Sequence, residues 1–366
     1  MKTDAAWSVR MADTVLARWA DLPPAWSHEY GVLFKGLFAV WRKTGDSRYF
    51  DYVKRHIDAV VDADGAITGY ALDHFSLDHL NSGRLLFPLL EKTNDARYQK
   101  AIDTLRDQYR HHPRTGDGGF WHNGELKNQM MLDGIYMGAP FYAECGIADN
   151  DAAAIDDALR QVMLIVKHNR EARTGLFYHG WDEGRTTGWA NSETGCSANF
   201  WGRATGWYSM AIVDLLELLP ANHARRDDLL TTLKGLMEAL VHVQDSESGL
   251  WWNVLDQGNR QANYLEASGS LMFLYSLGCG ITRGYFLAAD FRHCLDKGFS
   301  GALKHLIREE SDGSLSVRQV CKTAGLGGKP GRDGSFAYYN SEPIVDNDFK
   351  GIAAFLLAAN AWEALT

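Results

Sequence analysis

The feature that most limits what this chain can fold into is an alternation of two kinds of helical segment. One kind is amphipathic, with apolar residues at helical spacing on one face and charges on the other. It is plainest in "GDSRYFDYVKRHIDAVV" and "NDARYQKAIDTLRDQYR", with looser relatives in "DDALRQVMLIVKHNREA", "RRDDLLTTLKGLMEALVHVQ" and "FRHCLDKGFSGALKHLIRE". After each comes a glycine turn and a short strand-like piece, and the turn glycines Gly65, Gly119, Gly175, Gly249 and Gly313 lie 54, 56, 74 and 64 residues apart. The other kind is apolar nearly all round and rich in small residues: "WSHEYGVLFKGLFAVWRKTG", "LDHLNSGRLLFPLLEKT", "LDGIYMGAPFYAECG", "FWGRATGWYSMAIVDLLELLP", "YLEASGSLMFLYSLGCG" and "DFKGIAAFLLAANAWEAL". A helix apolar on all sides belongs inside, and its amphipathic partner belongs outside. Six inner helices alternating with six outer ones predict an all-α (α/α)6 barrel, one domain over residues 1–366. The competing arrangement is an open solenoid of the same pairs; six units ending in a strongly apolar helix favour the closed ring.

Composition narrows the partners. A net charge of −9 leaves no basic footprint for nucleic acid, so an acidic ligand has to be met by local positive groups. No stretch reaches the roughly 20 apolar residues of a membrane helix, and the opening residues show no signal-like apolar run. Cys145, Cys196, Cys279, Cys294 and Cys321 are odd in number with no C-x-x-C spacing, which points to neither a zinc site nor a disulfide framework. The expectation is a protein of a reducing, cytoplasmic setting. Histidine spacing gives no metal motif, and "TGDGGF" lacks the Gly-Lys-Ser/Thr of a phosphate loop, so no metal and no cofactor are expected.

In a packed ring, chemistry has to sit in the loops at one end. Polar residues cluster where the inner helices begin: Tyr30, Asp78, Asp133, Arg203, Glu266, and Glu342, Asp346 and Asp348 before the last. A single carboxylate at such a place is more often a cap. Asp133 differs, because Met130, Met131 and Leu132 precede it. That reads as a helix already under way, with burial raising the carboxyl pKa and keeping the proton that a general acid needs. Asp78 is a second carboxylate, and two carboxylates facing a cleft suit glycoside chemistry. His179 ends the aromatic run "LFYH". In "NFWGRATGWYSM", Arg203 offers a fork for a carboxylate, Trp201 and Trp207 offer stacking faces, and Gly202 and Gly206 permit close approach by ligand or backbone. The structural alternative is an arginine paired with a neighbouring helix amid core tryptophans.

Nearly the whole chain resembles glycoside hydrolase family 105, the unsaturated rhamnogalacturonyl hydrolases, and more distantly the family 88 unsaturated glucuronyl hydrolases. The motifs are "LDHLNSGRLL", "QMMLDGIYMGAPF", "FYHGWDE", "FWGRATGWYSMAIVDLLELLP", "NYLEASGSLMF" and "RDGSFAYYNSEPIVDNDFKG". One departure is Ala204, where the family often has the first glycine of R-G-x-G-W. The resemblance implies an (α/α)6 barrel without a cofactor, acting on a small oligosaccharide that carries an unsaturated uronate, such as galacturonyl-rhamnose. It implies that an aspartic acid, here Asp133, protonates C4 of the C4=C5 double bond and water adds at C5. It further implies that Asp78 and His179 position water or the ring, and that Trp201, Arg203 and Trp207 bind the unsaturated uronate; Tyr30, at the mouth of the first inner helix, is expected from its position to contribute to binding. Two rivals remain: an (α/α)6 epimerase or isomerase using paired histidines, which the single obvious rim histidine disfavours, and a non-catalytic sugar-binding relative, which would not need Asp133.

Overall fold

Each amphipathic segment ends in the same small device. The chain turns through a tight hairpin, closed by bonds such as Asp62 N–H to the Ala66 carbonyl (3.1 Å) and Asp245 N–H to the Leu250 carbonyl (2.9 Å). It then runs back toward the axis as the next apolar helix. Gly65, Gly175, Gly249 and Gly313 hold positive φ in these hairpins, a region in which other residues are strained. In the second hairpin the left-handed residue is Gly118 rather than Gly119.

The computed structural model of the protein describes residues 6–329 and 331–366. Its helices are α1 (Trp7–Arg18), α2 (His28–Thr44), α3 (Ser47–Asp58), α4 (Asp78–Asn81), α5 (Leu86–Thr93), α6 (Ala96–His111), α7 (Leu132–Asp149), α8 (Ala152–Asn169), α9 (Gly202–Leu218), α10 (Arg226–His242), α11 (Ala267–Thr282), α12 (Ala288–His305), α13 (Phe336–Tyr339) and α14 (Phe349–Glu363). Three two-stranded antiparallel sheets join β1 (Gln129–Met131) to β2 (Gly180–Asp182), β3 (Ile307–Glu309) to β4 (Leu315–Val317), and β5 (Val320–Cys321) to β6 (Ile344–Val345).

Among the described residues six inner segments close a ring: α2, the α4–α5 run, α7, α9, α11 and α14 each pack on the next, and α14 returns to α2. The (α/α)6 barrel is therefore closed, not an open solenoid. The outer layer is α3, α6, α8, α10, α12 and, sixth, α1, which packs on α14 and α2. α9, α11 and α14 are buried over almost their whole length, as their unbroken apolar character requires.

Small residues set how close the inner helices come. A Cβ on Gly269 would lie 2.9 Å from the carbonyl carbon of Gly202, and one on Gly206 would lie 2.8 Å from the sulfur of Met272. The approach that these glycines permit is thus between α9 and α11. The second inner segment is not the continuous helix that its sequence suggests. A single α turn, a 3-10 turn (Ser82–Leu85) and α5 follow one another, because Pro88 has no N–H to offer the Arg84 carbonyl.

Candidate active site

The N-terminal mouths of the inner helices open on one cleft of about 240 Å³. Asp78, Asp133, His179, Trp201, Arg203 and Trp207 all line it. Tyr30 does not. Its hydroxyl donates to the Pro23 carbonyl (2.9 Å) and its ring packs edge-on against Phe34 and Phe349, while its neighbours His28 and Glu29 face the cleft.

β1 and β2 hold the centre of the site. Met131 pairs with Gly180, and the Leu132 N–H, the first of α7, donates to the His179 carbonyl (3.0 Å). The turn from strand to helix therefore places Asp133 and His179 side by side. Nε2 of His179 lies 3.0 Å from Oδ2 of Asp133, although Oδ2 has no well-aligned hydrogen-bond donor. Nδ1 of His179 meets the Tyr339 hydroxyl at 2.7 Å. Burial keeps that phenol protonated, and Nε2 is the ring nitrogen that faces Asp133.

Two expectations for Asp133 are corrected. α7 begins at Leu132, so Asp133 sits in its first turn, where the helix dipole favours a carboxylate. Its pKa is lowered, not raised: burial pushes it upward, but the charge and hydrogen-bonding capacity of His179, with His122 behind, outweigh burial. With these imidazoles beside it, Asp133 is held ionised.

Asp78 opens α4 between two imidazoles: Nδ1 of His28 is 3.9 Å from Oδ2, and Nε2 of His122 is 3.8 Å from Oδ1. His122 is anchored through its backbone, whose N–H donates to the Gln129 carbonyl (2.9 Å) and whose carbonyl accepts from Leu77 N–H (3.2 Å). Nδ1 of His122 is buried without a partner.

Arg203, in the first turn of α9, is buried at 2 % exposure. Its guanidinium lies 4.8 Å over the Trp201 ring and donates from Nη1 to the Cys321 carbonyl. The Cys321 N–H in turn donates to Glu266 (3.0 Å), which also caps α11 through Ser268 and Gly269. Glu266 is thus a cap and an anchor. Asp348 caps α14 and pairs with Lys350 (2.9 Å). Asp346 lies 4.0 Å from Arg308, and neither it nor Glu342 lines the cleft. The Trp201 indole donates to Asn253 (3.0 Å), and Trp207 stacks on Tyr136 (4.7 Å between centroids).

Sequence reading missed His28, Glu29, His122, Arg332 and Lys350 in the lining, and Tyr339 behind His179. Lys350 carried a signal, since a lysine in the first turn of an otherwise apolar helix has to find a partner; its Nζ meets Glu29 at 2.6 Å. Three histidines line the cleft, so the expectation of a single rim histidine fails and histidine count no longer separates a hydrolase from an epimerase. Among the described residues no group of three or more His, Cys, Asp or Glu side chains is placed to hold a metal ion. What the site combines is a carboxylate oriented by an imidazole, a second carboxylate between two imidazoles, and cations from Arg203, Arg332 and Lys350 beside aromatic faces.

Comparison with known proteins separates the alternatives. The sequence model of Glycosyl Hydrolase Family 88 matches residues 5–365. A glycoside hydrolase of family 105 from C. acetobutylicum ATCC 824 is 42% identical and superposes with a TM-score of 0.95, over 98% of this chain and 99% of that one. Protein Atu3128 of Agrobacterium fabrum (strain C58) is 34% identical over 227 residues, 61% of this chain and 96% of that protein. Unsaturated rhamnogalacturonyl hydrolase YesR of Bacillus subtilis (strain 168) is 27% identical over 264 residues, 70% of this chain and 72% of that protein.

Proposed function

The chain belongs to glycosyl hydrolase family 88, with a family 105 relative over nearly its full length, and from that premise we propose that it hydrates the C4=C5 double bond of an unsaturated uronic acid at the end of a lyase-generated oligosaccharide, most simply unsaturated galacturonyl-rhamnose. The observation that carries this reading is the placement of Asp133, 3.0 Å from His179, in the lining of a cleft that also presents Arg203, Trp201 and Trp207. The double bond is a vinyl ether, because C5 bears the ring oxygen. Asp133 gives its proton to C4, and the positive charge forms at C5, shared with that oxygen. Water adds at C5 and loses a proton to the Asp133 carboxylate, which restores the acid. The hemiketal then opens: the C5–ring oxygen bond breaks, the ring oxygen stays on C1, and C1 expels the neighbouring sugar. One water is consumed in total.

In this reading Arg203 meets the uronate carboxylate, with Trp201 and Trp207 as walls. Asp78, between His28 and His122, orients the water. A uronate carboxylate entering beside Asp133 brings a second negative charge, which favours the protonated acid. The whole ring works as one catalytic unit without a cofactor, and the five free thiols fit a reducing, cytoplasmic setting.

The test follows the conjugated double bond by ultraviolet absorbance, with unsaturated galacturonyl-rhamnose as substrate. Wild type is expected to remove the signal. Asp133→Asn is expected to lose at least the roughly 10²–10⁴-fold that a positioned proton donor contributes. Signal loss by both proteins would move the acid elsewhere, first to Asp78. A flat trace for wild type on this substrate, with loss on an unsaturated glucuronide, would reassign the uronic acid.

A further inference from the structure

Behind Trp207, on the side away from the cleft, charge fills the axis of the ring. Asp214 of α9 is buried at 1 % exposure. Its carboxylate accepts from Lys35 of α2 (2.5 Å), Arg84 of the 3-10 turn between α4 and α5 (2.5 Å) and the Tyr275 hydroxyl of α11 (3.0 Å). Lys35 also donates to the Tyr136 hydroxyl of α7 (3.2 Å), so five of the six inner segments each give one side chain to this cluster. Lys35 and Arg84 hold the carboxyl ionised against the opposing effect of burial.

A buried ion set of this kind is poor at adding stability, since apolar side chains of equal volume commonly serve as well or better. Its effect is directional. Apolar contacts have no preferred angle, whereas these bonds fix where each helix presents its side chain. The Tyr136 ring lies under Trp207, 4.7 Å away and 27° from parallel, and Trp207 lines the cleft. We propose that the Asp214–Lys35–Tyr136 chain is a positioning device that holds Trp207 as the flat wall against which the substrate ring rests. None of the three need touch substrate; they act through Trp207. The functional half of this inference rests on the cleft being the substrate site, and the mechanical half does not.

The two halves are tested in the same full-length variants. Lys35→Met leaves Asp214 paired with Arg84, and Tyr136→Phe keeps the ring while removing its hydroxyl, so neither strands a buried charge. Glu217→Gln, in the same cavity but paired with Arg283 on the surface, is the control. In protein labelled with 5-fluorotryptophan, the Trp207 fluorine signal is assigned by its loss in Trp207→Phe. That signal is expected to shift or broaden in Lys35→Met and Tyr136→Phe and to stay in place in Glu217→Gln. KM is expected to rise about tenfold in the first two, the worth of one such hydrogen bond, with kcat nearly unchanged. The double variant is expected to be no worse than the poorer single one. An unmoved Trp207 signal in both variants, or a KM no different from that of Glu217→Gln, overturns the proposal. If wild type turns nothing over, the fluorine signal still decides the coupling, and the failure belongs to the substrate assignment.

Discussion

With Nε2 of His179 at 3.0 Å, Asp133 is held below the usual carboxylate range despite its burial, whereas a proton donor to C4 has to start protonated. The two requirements meet if substrate binding supplies the shift, and the sign can be worked out. kcat/KM reports the free enzyme, so its alkaline limb should fall at the low pKa of unliganded Asp133; kcat reports the complex, whose uronate raises that pKa, so its alkaline limb should fall at higher pH. Coincident limbs would show that the uronate does not act on Asp133. Tyr339→Phe removes the hydroxyl from Nδ1 of His179 and is expected to lower kcat by about tenfold, with KM little changed, if that bond fixes the imidazole. His112 gives a separate pH effect on folding. Burial depresses its pKa to about 4, and it sits unprotonated between Gln108 and the Trp121 carbonyl. The unfolded chain takes up that proton first, so the stabilisation is complete above pH ~6.5 and is lost as pH falls toward ~4, by up to about 3 kcal/mol. Urea unfolding across that range, beside His112→Gln, should show a flatter dependence in the variant.

At the scale of elements, the mouth of α9 is held against α11 by backbone contact. Gly269→Ala would place a Cβ 3.1 Å from the Arg203 N–H and 2.9 Å from the Gly202 carbonyl carbon. Because backbone atoms yield poorly, we expect a loss of about 1–3 kcal/mol in urea unfolding, together with a higher KM as Arg203 is displaced. The alternation of helices was legible because burial of a whole helix leaves its mark at every position, and α9, α11 and α14 carry that mark throughout. The 3-10 turn before α5 was less so, since Pro88 reads as a modest interruption until its missing N–H is counted. α1 was overlooked because its apolar face has meaning only once α14 comes round to meet it. The same limit governs the site. Asp78, Asp133, Trp201 and Arg203 stand at helix starts, Trp207 lies one turn further along α9, and His179 stands just before β2, so each could be found from its own stretch of sequence. His122 reaches the cleft from a connecting segment and Tyr339 backs His179 from the short α13, and only the closed ring brings them there. Tyr30 was an error of one residue: the next position along a helix is turned by about 100°, and it is Glu29 that faces inward.

For the whole molecule, closure is the event on which everything else depends. Glu363, at the end of α14, accepts from the backbone and hydroxyl of Ser8 on α1 (3.1 and 2.5 Å) and from Lys43 on α2 (2.6 Å), so one carboxylate joins the first, second and last helices. Glu363→Ala should cost about 1–3 kcal/mol, read from the urea midpoint, and leave KM unchanged because it lies at the end of the ring away from the cleft. A KM rise there would mean that closure is felt across the barrel. The proposed reaction adds water to a carbon–carbon double bond instead of attacking the anomeric carbon, and oxygen labelling asks this directly. With unsaturated galacturonyl-rhamnose in water enriched in oxygen-18, the label in the released uronate product should appear at C5, while C1 keeps the former ring oxygen. Label at C1 with an intact C4=C5 bond would rule out hydration and make the enzyme an ordinary glycosidase.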